Sequence, residues 1–457
     1  MSTSFEPGEL SSTESEAVLP DTPNSAIDTI AESTPRAEKP ALGGILKPFR
    51  VRNFSLLFGG QTISTIGDAL YAVALPWLIL TSGGNASELG IVLTAYGIPR
   101  VGCVLLGGWL SDRLRPRRLM LIADGVRAVL VGILAVLALS GHANVWELCA
   151  VAVPLGAFQG LFLPASSAIL PELVSDEDLQ ASNALNFAST QGATLIGSAI
   201  AGVIVAVLTS GAAMAIDALT FVVSATSLAM MRVIGPGALT KTAEGSDDGE
   251  GSTGDAIQAE EAQEQINFGR FLRTSSLIQV GLVVSIAANF CFGGLMEVAL
   301  PTLAHGPMHA GASGYGLIMA AFGAGALGGG ICAGMLGALK RKGLIALLSG
   351  LIMAASIALI PYGGVLGAML CMLISGISNS ITNVLLLTVV QLVIPRHLMG
   401  RVMGLLMFGS FGTYPISVAL AGVLANSFGP AILFPFSALL LGLALLFGIT
   451  QRALRDL

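Results

Sequence analysis

The sequence predicts an all-α membrane protein of twelve transmembrane helices, arranged as two six-helix halves in parallel repeat. Three observations lead there. Of 457 residues 54% are hydrophobic and only 11% charged, with a mean hydropathy of +0.81, whereas an ordinary soluble protein carries about 25% charge. Apolar runs of the roughly 20 residues needed to cross a bilayer as a helix fall at 54–81, 88–110, 119–140, 145–168, 183–209, 211–231, 274–303, 313–337, 343–361, 364–391, 402–425 and 428–450. An offset of 226 residues aligns Ser87, Gly90, Ala95, Tyr96 and Gly97 with Ser313, Gly316, Ala321, Phe322 and Gly323. At nearly the same offset Val73-Ala74-Leu75-Pro76 recurs as Val298-Ala299-Leu300-Pro301.

The elements follow in order. Residues 1–50 are rich in Ser, Thr, Pro and Glu, lack the basic start and apolar centre of a cleaved signal peptide, and read as a disordered tail. Residues 51–232 form the first six-helix half. Its spans are separated by turn chemistry such as Ser82-Gly83-Gly84-Asn85, so neighbouring spans are antiparallel hairpins. Residues 233–270 form an acidic linker, since residues 232–273 hold 12 of the 50 charges. Residues 271–450 form the second half, with turns at Pro361-Tyr362-Gly363-Gly364 and Asn426-Ser427-Phe428-Gly429-Pro430, and residues 451–457 a short tail. Parallel six-helix halves imply a pseudo-two-fold axis along the membrane normal and a site near the midplane between them.

Charge sets the orientation and excludes several classes. Residues 1–53 and 451–457, together with the segments 111–118, 232–273, 338–342 and 392–401, hold 20 of the 22 Lys and Arg; the opposite loops hold none. Basic loops are retained inside the cell, so both termini are expected in the cytoplasm of a multi-pass plasma-membrane protein. A net charge of -6 without a dense basic region argues against nucleic acid as a partner. The five cysteines stand singly inside apolar runs, so neither a disulfide framework nor a metal site is indicated. No G-x4-G-K-[ST] loop, H-E-x-x-H or G-x-S-x-G occurs, which leaves ion gradients rather than ATP as the energy source and points away from an enzyme or a bound cofactor.

The loop after the second span reads Gly107-Gly108-Trp109-Leu110-Ser111-Asp112-Arg113-Leu114-Arg115-Pro116-Arg117-Arg118 and resembles the G-x-L-[AS]-D-R-x-x-R-[RK] signature of the major facilitator superfamily. The resemblance implies a latch between the halves formed by Gly108, Asp112, Arg113 and Arg117, with Gly108 allowing close helix approach; the alternative is a loop that only sets topology. Gly192, Gly197 and Gly202 in the fifth span resemble the antiporter motif G-x4-G-P-x-x-G-G, with Ser198 in place of its proline and Ala201 in place of a glycine. The alternative there is small-residue packing. Gly67-Asp68, Asp124-x-x-Arg127, Pro164-Ala165 and Asp217-Ala218-Leu219-Thr220-Phe221 are similar to the third drug:proton antiporter family, which includes macrolide efflux and enterobactin exporter-like proteins. In the fourth span Gly156 stands where the R-x-x-Q-G pattern of the superfamily has arginine, so a coupling role for that arginine does not carry over.

Ionisable groups inside spans are costly enough to count as functional candidates. At 1.5 Å per residue Asp68 and Arg100 both lie about 20 Å from the basic end and can meet near the midplane, as a proton-coupling pair or a permanent salt bridge, unless Arg100 faces elsewhere. Glu297, four residues before Pro301, has no obvious basic partner and is expected to face a wet cavity as a third proton-coupling candidate. Asp124 and Arg127 share a helix face, partner each other or Asp112, and read as structural. Asp217, near the outer end of the sixth span, reads as a capping or positioning residue. Phe158, Phe162, Asn289, Asn379 and Asn383 are candidate cavity residues on spans that line the cavity in this superfamily; lipid contact and helix packing are the alternative.

The function expected is therefore proton-coupled efflux of hydrophobic or amphipathic small molecules, of drug, macrolide or siderophore type, by a monomer in the lipid bilayer. A proton-coupled uptake symporter and a non-transporting receptor or scaffold are the alternatives.

Overall fold

The computed structural model describes residues 46–141, 143–232, 276–336, 341–393 and 396–450. The expected N-terminal tail up to residue 45, the linker 233–270 and the C-terminal tail 451–457 lie outside the described residues. Among those described there is no β-strand, and twelve helices are long and apolar enough to cross a membrane. The first half comprises α1 (Arg52–Thr81), α2 (Ala86–Leu114), α3 (Pro116–Ser140), α4 (Val145–Leu173), α5 (Asp176–Val207) and α6 (Ser210–Met230). The second comprises α7, running from Ser276–Gly294 through Leu295–Ala299 to Leu300–His305, then α8 (Gly311–Leu336), α9 (Lys342–Leu359), α10 (Gly364–Val393), α11 (Arg396–Phe428) and α12 (Leu433–Thr450).

Side chains at the hairpin turns satisfy the amides that helix starts leave open. Asn85 accepts from the amides of Ser87 and Glu88 at the start of α2, Asn144 forms a capping box with Glu147 on α4, and Thr209 accepts from Ala212 on α6. Gly141, at φ +70°, ends α3 in the left-handed region that a side chain would resist. Prolines at 76, 99, 154, 164 and 415 sit inside helices, where packed neighbours re-satisfy the freed carbonyls.

Two helix starts differ most from the hydropathy reading. α5 and α11 begin at Asp176 and Arg396, not at 183 and 402, because a helix does not stop where the hydrocarbon does. The acidic run Asp176-Glu177-Asp178 suits the positive end of the α5 dipole. The expected disordered tail also stops earlier than residue 50. Lys47–Arg50 form a 3-10 turn, and Lys47 Nζ lies 3.2 Å from Asp178 Oδ1 and 3.5 Å from Glu177 Oε2 at the start of α5. The hydrogen bond to Asp178 and the charges of both acids hold the Lys47 ammonium above its usual range.

The parallel repeat is visible in the packing. Within the first half the main helix pairs are α2–α4, α1–α6, α3–α6, α1–α5 and α3–α4; the second half repeats all five in register as α8–α10, α7–α12, α9–α12, α7–α11 and α9–α10. The halves meet through α2–α11 and α5–α8, which the same six-helix shift interchanges. Both crossings run glycine against glycine near the face that carries the short hairpin turns. A Cβ on Gly90 would stand 3.1 Å from Gly422 Cα, and one on Gly316 would stand 2.7 Å from Gly202 Cα. On the same side Ser87 Oγ donates to Gly422 O (3.3 Å), and Trp77 of α1 packs edge-on against His305 and is stacked on Tyr315. Apolar packing fills each half. One such cluster near the basic face of the first half joins Phe54, Met120, Phe162, Ile169 and Leu228.

Candidate transport site

Between the halves lies a cavity of about 190 Å³ lined by Asp68, Tyr71, Ala72, Leu75 and Pro76 of α1, Leu93, Tyr96 and Arg100 of α2, Gln159 of α4, Glu297 of α7 and Tyr414 of α11. The three ionisable groups singled out as coupling candidates thus share one chamber. Each reaches it for a local reason. Gly67 lets α1 close on α6, since a Cβ there would meet the side chains of Thr220 and Asp217; its neighbour Asp68 faces the cavity, 43% exposed. Arg100 is carried by the α2 segment that packs backbone to backbone against Gly156 and Gly160 of α4. Glu297 sits in the π-helical segment Leu295–Ala299, where the Leu300 amide donates to Leu295 O. Pro301 withholds the amide that the Glu297 carbonyl would accept in an α-helix, and such π segments re-aim side chains at functional sites.

The charge partners follow the expectation in part: Asp124 and Arg127 pair as expected, and Arg100 faces elsewhere, one of the alternatives left open. Asp68 does not pair with Arg100. Its Oδ1 lies 2.6 Å from Arg127 Nη2, whereas Arg127 Nη1 reaches Asp124 Oδ1 at 3.5 Å. Arg127 is therefore shared between two carboxylates, and its guanidinium stands 3.9 Å from the Phe221 ring centroid and 5.5 Å from that of Phe162. Asp124 is fully buried and accepts from Ser224 Oγ at 2.6 Å, and Gln61 of α1 donates to that serine at 3.1 Å. The network Gln61–Ser224–Asp124–Arg127–Asp68 ties α1, α3 and α6 together. Arg100 lies over the rings of Phe411 (5.4 Å), Tyr96 (5.8 Å) and Tyr414 (6.0 Å), a cation–π setting across both halves. Its Nε is buried with no hydrogen-bond partner among the described residues. Tyr414 and Glu297 line the same chamber as Arg100.

Several placements correct the sequence expectation. Asp217 does not cap α6, a task Thr209 performs; it is buried against α1, with Oδ1 accepting from Thr220 Oγ1 at 3.3 Å and Oδ2 left without a partner. Phe162 is buried in the first-half core and Phe158 packs against it, so neither lines the cavity. Asn289 donates to Ser285 O and Ser410 Oγ, and Asn383 donates to Asn379 one turn away; none of these three asparagines lines the chamber. Polar residues in a span satisfy one another locally, which sequence position alone does not reveal. What the sequence reading missed is Gln159, one turn from Phe162, and Tyr71, Tyr96 and Tyr414. Three of only five tyrosines line this site, and phenols inside apolar spans were the available signal.

The motif glycines divide. Gly197 packs on Ile66 and Ala69 of α1, and Gly202 on α8, whereas nothing comes within 4 Å of a Cβ at Gly192. Gly108 is likewise open; Gly107 makes the close approach, to Leu161 and Pro164 of α4. Arg117 donates from Nε to Leu228 O (2.7 Å) and from Nη2 to Ala229 O (2.8 Å), closing the end of α6 within its own half. The Asp112 side chain, and with it the acid of the expected latch, lies outside the described residues. At Gly156 a Cβ would fall on the Tyr96 carbonyl, so the α2–α4 crossing leaves no room for the arginine of the superfamily pattern.

Comparison with known proteins agrees with this architecture. The family model of the Major Facilitator Superfamily matches residues 57–414. The chain belongs to the major facilitator superfamily. Within the superfamily, the multidrug efflux pump Tap of Mycolicibacterium fortuitum is 25% identical over 382 residues, covering 82% of this chain and 89% of that protein. The enterobactin exporter EntS of Citrobacter koseri is 25% identical over 398 residues, covering 86% and 91%. The likeness to drug and enterobactin exporters expected from the motifs is therefore borne out. Among solved structures, a D-xylose-proton symporter superposes with a TM-score of 0.64 at 15% identity, over 89% of this chain and 97% of that one. A bacterial homologue of the iron transporter ferroportin in an inward-facing state superposes with a TM-score of 0.61 at 15% identity, over 87% and 98%. At such identities the structures establish the major facilitator fold alone.

Proposed function

We propose that this transporter is a proton-coupled exporter of hydrophobic or amphipathic organic molecules, acting as a monomer in the plasma membrane with both termini in the cytoplasm. The observation that carries the reading is the convergence of Asp68, Arg100 and Glu297, with three tyrosines, on one chamber between the halves. Tyrosine faces and edges accept apolar and aromatic groups, and the few charges fix orientation. At about 190 Å³ the chamber is smaller than the roughly 300–1,000 Å³ of drug-sized sites, so it grips one end of a substrate and leaves the rest to extend towards the basic face.

Coupling follows from the shared arginine. A proton arriving at cavity-facing Asp68 cancels the charge that holds Arg127 at 2.6 Å and leaves the guanidinium to Asp124, which loosens α1 from α3. The Gly90–Gly422 and Gly202–Gly316 contacts seal the short-turn face, and the basic loops place that face outside; the conformation is then closed to the exterior. Export by two relatives supports the direction.

The test is purified protein in proteoliposomes with an imposed pH gradient, recording internal pH as dyes, macrolides, siderophores and common metabolites are added. Proton movement opposite to substrate flux is the expected result. Co-directional movement identifies an uptake symporter, and silence across the panel without ligand-induced thermal stabilisation removes the transport reading.

A further inference from the structure

A second cavity, of about 100 Å³, opens at the basic face of the first half, far from the central chamber along α1 and α4. It is lined by Asn53, Arg115, Arg117, Arg118, Ile169, Glu172, Leu173, Met231 and Arg232. Four arginines converge there against one carboxylate. Arg117 is committed to the Leu228 and Ala229 carbonyls, which neutralises the negative end of α6 beside the cavity. Arg115, Arg118 and Arg232 are exposed and take part in none of the described ion pairs.

Their convergence is built rather than incidental. Asn53 bonds Arg232 through both backbone groups, its Nδ2 donating to Arg232 O and its Oδ1 accepting from Arg232 N, each at 3.1 Å. That fixes the exit of the chain from α6 next to the start of α1. Arg115 holds φ +64°, a conformation that costs a non-glycine residue about 1–3 kcal/mol, and so turns the chain into Pro116 at the first position of α3. The N-terminus of this 25-residue helix adds its own positive end to the three arginines. The remaining wall is apolar, supplied by Ile169, Leu173 and Met231.

We propose that this cavity binds the phosphate of an anionic phospholipid, with the glycerol and upper acyl region against Ile169, Leu173 and Met231. The donor set is that of a phosphodiester site. Its location at the ends of four spans is the depth at which headgroups lie, and basic pockets between helices there take anionic lipids. Such a lipid bridges the ends of α1, α3, α4 and α6, and holds the first half together where Lys47 and Arg117 already staple it.

Native mass spectrometry of the delipidated full chain, titrated with phosphatidylglycerol, with phosphatidylcholine and separately with inorganic phosphate, tests this. Phosphatidylglycerol is expected to bind more tightly than phosphatidylcholine. Arg118→Gln with Arg232→Gln is expected to weaken phosphatidylglycerol binding about 25-fold, from about fivefold per arginine, while Arg118→Lys with Arg232→Lys restores most of it. Equal binding of the two lipids, or a Gln variant that binds phosphatidylglycerol as the wild type does, overturns the site. Inorganic phosphate binding as tightly as phosphatidylglycerol overturns the lipid as its source. None of these readouts depends on transport.

Discussion

Asp68 and Asp124 share Arg127, yet replacing each with asparagine is expected to separate stability from transport. The Asp68 contact is the shorter, 2.6 Å against 3.5 Å, but its carboxylate is 43% exposed whereas Asp124 is 0% exposed. Asp68 is wetted by the chamber, and its loss leaves the buried Arg127 guanidinium with Asp124, so this contact contributes about 1 kcal/mol, nearer the exposed than the buried case. Removing one partner of a buried pair costs about 3–5 kcal/mol, and the Ser224 hydrogen bond, which asparagine can keep, puts Asp124→Asn near the lower end, at about 3 kcal/mol. Thermal unfolding of purified protein in which the other four cysteines are serine, followed with a thiol-reactive dye that reports exposure of buried Cys291, is therefore expected to show a small shift for Asp68→Asn and a several-fold larger one for Asp124→Asn. In proteoliposomes the order reverses: Asp68→Asn loses substrate-triggered proton movement, whereas Asp124→Asn, which keeps the cavity-facing acid and its contact with Arg127, loses only part of it. A larger thermal loss in Asp68→Asn, or proton coupling intact in that variant, would refute the argument that the cavity-facing acid couples and the buried one supports.

Other outcomes follow from single contacts. Gly156→Ala puts a methyl on the Tyr96 carbonyl and should cost about 1–3 kcal/mol by overpacking, whereas Gly192→Ala, with nothing within 4 Å, should leave the unfolding midpoint unchanged. Glu297→Gln removes a chamber charge at nearly constant volume, so substrate-triggered proton movement should fall while the midpoint holds. Gly316→Val pushes against the Ser198 carbonyl and Gly202, and should raise the labelling rate, by an impermeant maleimide, of a cysteine placed at Ser313. Arg117→Ala removes two charge-assisted hydrogen bonds to the α6 carbonyls and should lower the midpoint by the equivalent of about 1–3 kcal/mol.

Sequence alone made the twelve spans and the parallel repeat legible because bilayer thickness imposes a length and hydropathy that any run of residues either meets or does not. It also identified the cavity charges, since Asp68, Arg100 and Glu297 are conspicuous in apolar surroundings. Pairing was harder. Depth along a helix can be counted from its end, which put Asp68 and Arg100 at one level, but rotation about the helix cannot, and rotation sent Arg127 to Asp68 and Arg100 to an aromatic cage. The same uncertainty misplaced Phe162 and the three asparagines. Glycine roles were recoverable only as a class: Gly107 and Gly108 are adjacent in sequence, yet only one faces α4.

The paired glycine crossings carry a mechanical consequence. Gly90–Gly422 and Gly202–Gly316 define a line about which the halves can turn once the deeper contacts, Gly97 with Tyr414 and Pro415 and Gly323 with Leu195, part. That line is a hinge close to one membrane surface rather than at its centre. From Gly90 to Leu114 α2 extends about 36 Å at 1.5 Å per residue, so a swing of only about 10° on such a lever arm separates the far ends by about 6 Å, enough to admit a small molecule. Backbones in contact at the glycine crossings leave few side chains to repack there, so resistance to the motion comes from the deeper contacts and from Trp77 against His305 and Tyr315.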